Sequence, residues 1–166
     1  MNYALGVLLL VTLSRLVELL VSARNTRLLM AEGAVEVGAG HYPFIVAVHA
    51  AWFMALLTWI LIFPQPMNLG WLAAYVGVQV LRGWVFVSLG RYWTTRIIVP
   101  RHVPLIRRGP YRFLRHPNYV VVVFEIAILP LVLGAWPVAV AFSALNAAVL
   151  FVRIKAENRS FESRSV

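Results

Sequence analysis

Between residues 107 and 125 the chain reads RRGPYRFLRHPNYVVVVFE. Four arginines, one histidine and two tyrosines precede a run of valines that ends on Glu125. Arginine offers a planar fork for a carboxylate or a phosphate. An aromatic ring offers a face for a cation or for another flat ring. Tyr92 and Trp93, a little upstream, add two more such faces to Tyr111 and Tyr119. This chemistry suits a small, polar, partly anionic molecule held at the mouth of an apolar helix. The plainer alternative is an interface belt, where arginine and aromatic residues are also expected.

The segment 91–117 that carries these groups is stiff. Pro100, Pro104, Pro110 and Pro117 exclude one long helix through it. Gly109-Pro110 predicts a turn. Pro117 suits the first turn of a helix, where no backbone donor is needed.

The rest of the chain must position this loop. Of its 166 residues, 61% are hydrophobic and only 13% are charged. A soluble domain of this length could not hide that much apolar surface, so lipid is the expected solvent. Absence of cysteine excludes disulfides, thiol nucleophiles and thiolate metal sites, and no metal is expected. MNYALGVLLLVTL lacks a basic leader region and a cleavage site, and reads as a retained first helix.

A membrane-crossing helix needs about 20 mostly apolar residues. Five stretches qualify or nearly so: roughly 3–22, 42–63, 69–90, 118–133 and 137–154. The fold expected is therefore an all-α integral membrane protein of about five transmembrane helices. FPQPMN (63–68) and LPLVLGAWP (129–137) read as tight, uncharged hairpin turns. Thirteen of the fifteen Lys and Arg residues follow the first, third and fifth helices. With five helices these basic segments share one side, which the positive-inside rule makes cytoplasmic. The N-terminus is then outside and the C-terminus inside. Because the basic residues flank helix ends, the net charge of +9 points to membrane topology and not to nucleic acid. The chain reads as one domain, 1–166. Residues 1–90 form a three-helix lipid-facing half, and 91–161 form a half built around the loop.

Arg15, Glu18, His49, Arg82 and Glu125 fall inside these helices. A charge at mid-bilayer costs at least about 2.5–3.5 kcal/mol, so each needs a partner or a wet cavity. Arg15 and Glu18 are three apart on one face and can pair. Arg82 can snorkel toward the basic side, or meet Glu125 at similar depth. The latter two serve equally as a structural pair or as walls of a polar substrate pocket. His49 is either a hydrogen-bonded structural histidine or a base.

GPYRFLRHPNY (109–119) resembles the G-P-Y-x-x-x-R-H-P-x-Y signature of the isoprenylcysteine carboxyl methyltransferase family, small membrane enzymes that use S-adenosylmethionine. RIKAENRSF (153–161) resembles that family's closing basic-acidic segment, although Glu157 is followed by Asn158 where a second acid is common. The family often has glycine where Val121 stands, so Val121 is expected to narrow the pocket. The stretch 33–53 is similar to a bacterial subgroup associated with type III polyketide synthases, which methylates long-chain pyrones or phenolic lipids.

The resemblance implies a cofactor site made of Tyr92, Trp93, Gly109, Pro110, Tyr111, Arg115, His116, Pro117, Tyr119, Arg153 and Glu157. Arg115 and Arg153 would bind the cofactor carboxylate or steady the loop, and Glu157 would hold its ribose or amino group. The acceptor is a lipophilic small molecule entering from the bilayer. A prenylcysteine carboxylate needs an arginine to position it, whereas a phenol or enol benefits from a base. His41, His49 and Glu125 are the substrate-binding candidates, and His49, Glu125 and Arg82 the catalytic ones. The expected location is the bacterial plasma membrane, with the site on the cytoplasmic side. Membrane sterol reductases carry a very similar R-H-P-N-Y run and bind NADPH, so a lipid reductase is the second reading. A non-enzymatic membrane scaffold is the third.

Overall fold

The computed structural model describes the backbone of residues 2–100 and 106–162, and the side chains of 3–100 and 106–157. Expectations attached to Arg101, Pro104, Arg159, Arg164 and the Asn158 side chain lie outside the described residues. Five helices follow in order: α1 (Asn2–Ala31), α2 (Tyr42–Ile62), α3 (Leu69–Leu89), α4 (Pro117–Val132) and α5 (Trp136–Glu162). The protein is an all-α membrane protein with one small strand pair.

Two helices run past their expected ends. Residues 23–31 contain no proline or glycine, so α1 continues until Gly33 turns the chain at φ 85°. Its 30 residues span about 45 Å, more than the hydrocarbon thickness, so its last turns stand clear of the lipid core. Likewise nothing in KAEN breaks α5 after residue 154.

Among the described residues four helices are long and apolar enough to cross a membrane, and α4, with 16 residues, is shorter than that. Protein covers most of its surface. It packs between α3 and α5, and nine of its residues are buried, including Val121, Leu129 and Val132. Protein covers what lipid need not, so α4 is a core helix of the bundle. Val121 is fully buried in that core and lines neither cavity described below. Its expected narrowing of the pocket is therefore not seen, because its side of α4 faces packed helices.

The two uncharged turns meet at one end of the bundle. The Asn68 amide donates to the Val132 carbonyl at 3.0 Å, and Gly134, at φ 69°, lies against the Gln65 side chain. At the other end the segment after α1 pairs with the segment after α3. Strand β1 (Val35–Val37) runs antiparallel to β2 (Ile97–Val99), with Glu36 opposite Ile98. The α5 tail joins them, as Arg153 donates through Nη2 to the Thr95 carbonyl at 2.7 Å. The three basic segments thus gather in space as their charge pattern required.

Candidate functional site

Residues 90–96 leave α3 and are held from below by α1. Gly90 caps α3 at φ 52°. One face of α1 then supplies two buried polar side chains. Asn25 Nδ2 donates to the carbonyls of Gly90 (3.2 Å) and Trp93 (2.9 Å). Ser22 Oγ accepts from the Thr95 amide at 2.8 Å. The Thr95 hydroxyl also lies 3.0 Å from the Tyr42 hydroxyl of α2. Arg96 sits 4.4 Å over the Tyr42 ring and pairs with Glu36 at 2.7 Å. These bonds satisfy backbone groups that no helix or sheet serves, which is why an irregular segment can stay fixed here.

Residues Gly109–Arg112 form a single 3-10 turn seated on the end of α3. Arg108 Nε donates to the Ser88 carbonyl at 2.7 Å. Gly109 adopts φ 57°, and a Cβ there would collide with Ser88 Oγ and come within 3.0 Å of Trp84 Nε1. Gly109→Ala is therefore expected to cost about 1–3 kcal/mol through backbone strain, with the clash in addition. Limited proteolysis within 100–112 should speed up in this variant. Unchanged cleavage and unchanged stability would contradict the close seating.

The first turn of α4 completes the site. His116 and Tyr119 stack with centroids 5.2 Å apart and planes 17° from parallel. The Tyr119 hydroxyl donates to the Glu157 carboxylate and accepts from Arg153 Nε at 2.9 Å. His116 Nδ1 lies 3.6 Å from Glu157 Oε2. Arg153 is 7% exposed and clamps Tyr119 to the loop through Thr95. Burial, followed by the nearby Glu157 carboxylate, pushes the Tyr111 phenol above its ordinary value, so it stays a hydrogen-bond donor at neutral pH.

Together these elements wall a cavity of about 490 Å³, well within the range of small-molecule sites. Of the expected cofactor residues, Tyr92, Trp93, Tyr111 and Tyr119 give it aromatic walls. Arg115, His116, Arg153 and Glu157 give it polar ones. Gly109, Pro110 and Pro117 do not line it. Pro110 and Pro117 are buried, and with Gly109 they shape the backbone that carries the lining residues. The cavity also takes in residues not singled out from sequence: Thr94 and Asn118, and the hydrophobic edge Ile97, Ile98 and Val99 of β2. A signal for the strand pair was present in the β-branched runs VEV and IIV, the first bounded by Gly33 and Gly38.

Deeper in the bundle the helix charges form one connected network. Glu18 accepts from Arg15 at 2.9 Å and from Arg82 at 2.6 Å. Glu125 pairs with Arg82 and lies 3.2 Å from Arg15. Gln79 ties the two halves, donating to Glu125 at 2.6 Å while accepting from Arg15 at 2.9 Å. Arg82 is therefore paired internally and does not reach for the basic end. Gln79 was not anticipated, though it stands three residues before Arg82 on one face of α3.

A small cavity of about 40 Å³ borders this network, lined by Glu125, Arg82 and His49 among others. His49 Nδ1 lies 2.8 Å from the Ile45 carbonyl. A carbonyl can only accept, so Nδ1 carries a proton, and in the neutral ring Nε2 keeps its lone pair. His41 lines neither cavity. It sits in the turn before α2, its ring against Gly38. Tyr119 in the large cavity and Glu125 beside the small one lie six residues apart on α4, about 9 Å along its axis.

The chain is 38% identical over 155 residues to YpbQ, an uncharacterized protein of Bacillus subtilis (strain 168), covering 92% of each chain. It is 28% identical over 149 residues to an uncharacterized protein of Haemophilus influenzae, covering 86% of each. No solved structure matches it. A family match spans residues 71–163, which is more than half of the chain and holds the whole run from the end of α3 through the Tyr119–Arg153–Glu157 cluster. On that match the chain belongs to the isoprenylcysteine carboxyl methyltransferase family of S-adenosylmethionine-dependent membrane methyltransferases.

Proposed function

We propose that this protein methylates an oxygen nucleophile of a lipophilic acceptor, with S-adenosylmethionine held in the large cavity. The observation that carries the reading is that motif residues Tyr111, Arg115, His116 and Tyr119 and tail residues Arg153 and Glu157 wall one cavity, and that α4 continues from it to a charged pocket inside the bundle.

The residues present fit such a cofactor. Its carboxylate needs a cation, and Arg96 and Arg115 line the cavity. Its amino group and ribose need acceptors, and Glu157 lines the same space. The buried Trp93 Nε1 and Asn118 Oδ1 meet no hydrogen-bond partner among the described residues, and both residues line the cavity. Buried polar atoms of that kind call for a ligand. When bound, the cofactor supplies an electrophilic methyl group on a sulfonium.

The chain's own work is then positioning and proton handling. Tyr119 and Trp93, both buried, exclude water from the cavity floor. His49 would take the acceptor's hydroxyl proton at Nε2. Arg15 and Arg82 are already matched by Glu18 and Glu125. A carboxylate acceptor would call for an unmatched cation there. The balanced pocket instead favours a neutral hydroxyl, as in a long-chain pyrone or phenolic lipid. The basic end would face the cytoplasm of a bacterial plasma membrane.

Calorimetric titration of the purified, detergent-solubilised protein with S-adenosylhomocysteine, with NADPH in parallel, tests the cofactor. Saturable binding of the former, lost in His116→Ala, is expected. Binding of NADPH alone would move the protein to lipid reduction, and a folded sample that bound neither would end the enzymatic reading. His49→Ala should lower methyl incorporation into a lipid phenol about a hundredfold or more, with S-adenosylhomocysteine affinity unchanged. Loss of that affinity would remove His49 from the acceptor side.

A further inference from the structure

The 3-10 turn that walls the cavity also has an outward face, and nothing in the proposed chemistry uses it. Phe113 is 76% exposed and Leu114 42% exposed, in a run of four exposed residues, Arg112 to Arg115. Arg107 and Arg108, also exposed, stand just before the turn. The whole segment 91–117 contains no acidic residue. Arg91 and Arg96 pair with Glu32 and Glu36 from the α1 side. Arg107 and Arg112 meet no carboxylate among the described residues, and Arg112 lies over the Phe113 ring at 5.9 Å.

The position of this face along the bundle decides what it meets. Phe113 lies four residues before Pro117, where α4 enters the bundle. The headgroup layer on each side of a bilayer is several ångströms deep, which spans that distance. An apolar tip ringed by arginines at that depth matches the layer from both directions, with its ring toward acyl chains and its guanidiniums toward phosphates. Charge selects among lipids. Unmatched arginines favour an anionic headgroup over a zwitterionic one, each by about 1 kcal/mol or roughly fivefold.

We infer that the exposed face of residues 107–114 is a docking surface for anionic phospholipid, with Phe113 and Leu114 inserted and Arg107 and Arg112 holding headgroup phosphates. Because Arg107, Tyr111 and Leu114 also line the large cavity, the lipid would fix the outer side of a cavity wall.

The chain has no cysteine, so Phe113→Cys gives one labelling site, and Phe113 itself does not line the cavity. A nitroxide there, in nanodiscs of phosphatidylcholine with or without phosphatidylglycerol, reports insertion by its relative accessibility to oxygen and to a water-soluble nickel chelate. The inserted fraction should rise with phosphatidylglycerol. That preference should fall roughly fivefold with Arg112→Gln and again with Arg107→Gln, and weaken in high salt. A label equally water-exposed in both bilayers would overturn the proposal. So would a preference untouched by the double substitution, or the same shift produced in pure phosphatidylcholine by inorganic phosphate. The readout needs neither cofactor nor turnover, so it stands or falls apart from the methyltransferase reading.

Discussion

Arg82→Met is expected to destabilise the protein by about 3–5 kcal/mol, the usual cost of removing one partner from a buried ion pair. Arg82 reaches Glu18 on α1 through Nε and Nη2, and Glu125 on α4 through Nη1. Without it, Glu18 and Glu125 share Arg15 as their one remaining cation among the described residues, and Glu125 is only 7% exposed. Unfolding in mild detergent, followed by circular dichroism against denaturant, would read the loss. The companion variant separates stability from function. Replacing Arg15, Glu18, Arg82 and Glu125 together by methionine and leucine leaves no unpaired charge, and such swaps are often neutral or stabilising. That variant should regain most of the lost stability and still fail to turn over an acceptor. If Arg82→Met alone proves as stable as the parent, the network is an ornament of the fold and the argument for it fails.

Arg153→Met should weaken S-adenosylhomocysteine binding by at least about thirtyfold, which corresponds to 2 kcal/mol or more for truncating a buried hydrogen-bonded charge. Arg153 touches both sides of the cavity, Tyr119 on α4 and Thr95 on the loop. Its loss removes one of the two partners of the Tyr119 hydroxyl and unties α4 from the Thr95 carbonyl. Arg153→Lys keeps the charge but not the two-pronged geometry, so recovery should be partial at best. A methionine variant that bound the ligand normally would make Arg153 a bystander.

Particular residues show how far the chain could be read unaided. The valine run after Tyr119, the paired prolines of the two turns and the spacing of basic segments depend on local hydropathy and on the bilayer's thickness. Each acts within about 20 residues, so each could be read directly. The pairing of Arg15 with Glu18 is local too, since three residues set one helix face. Helix ends were harder. Residues 23–31 and 155–162 are polar enough to leave the membrane, yet nothing in them breaks a helix. Hydropathy sees the lipid boundary, whereas the helix sees only the next glycine or proline.

The site divides in the same way. The order G-P-Y…R-H-P-x-Y and the tail Arg153–Glu157 are properties of the sequence, and several of their residues line the large cavity. Which of them face the cavity was settled by packing. Gly109, Pro110 and Pro117 shape the backbone, and Asn118, Thr94 and the β2 edge line the space. Ser22, Asn25 and Thr95 were invisible in advance, because each is an ordinary polar residue until α1 and the loop after α3 come together over more than 60 positions of chain.

By itself, then, the sequence determined a lipid-embedded helical bundle with its charge at one end and a family signature at that end. Hydrophobicity and chain order are written residue by residue. Only the tertiary structure decided that α4 packs between α3 and α5, that Arg82 turns inward to Glu18 and Glu125, and that α1 holds the loop after α3. Those facts depend on which distant groups can satisfy one another once water is gone, and no local pattern carries that information.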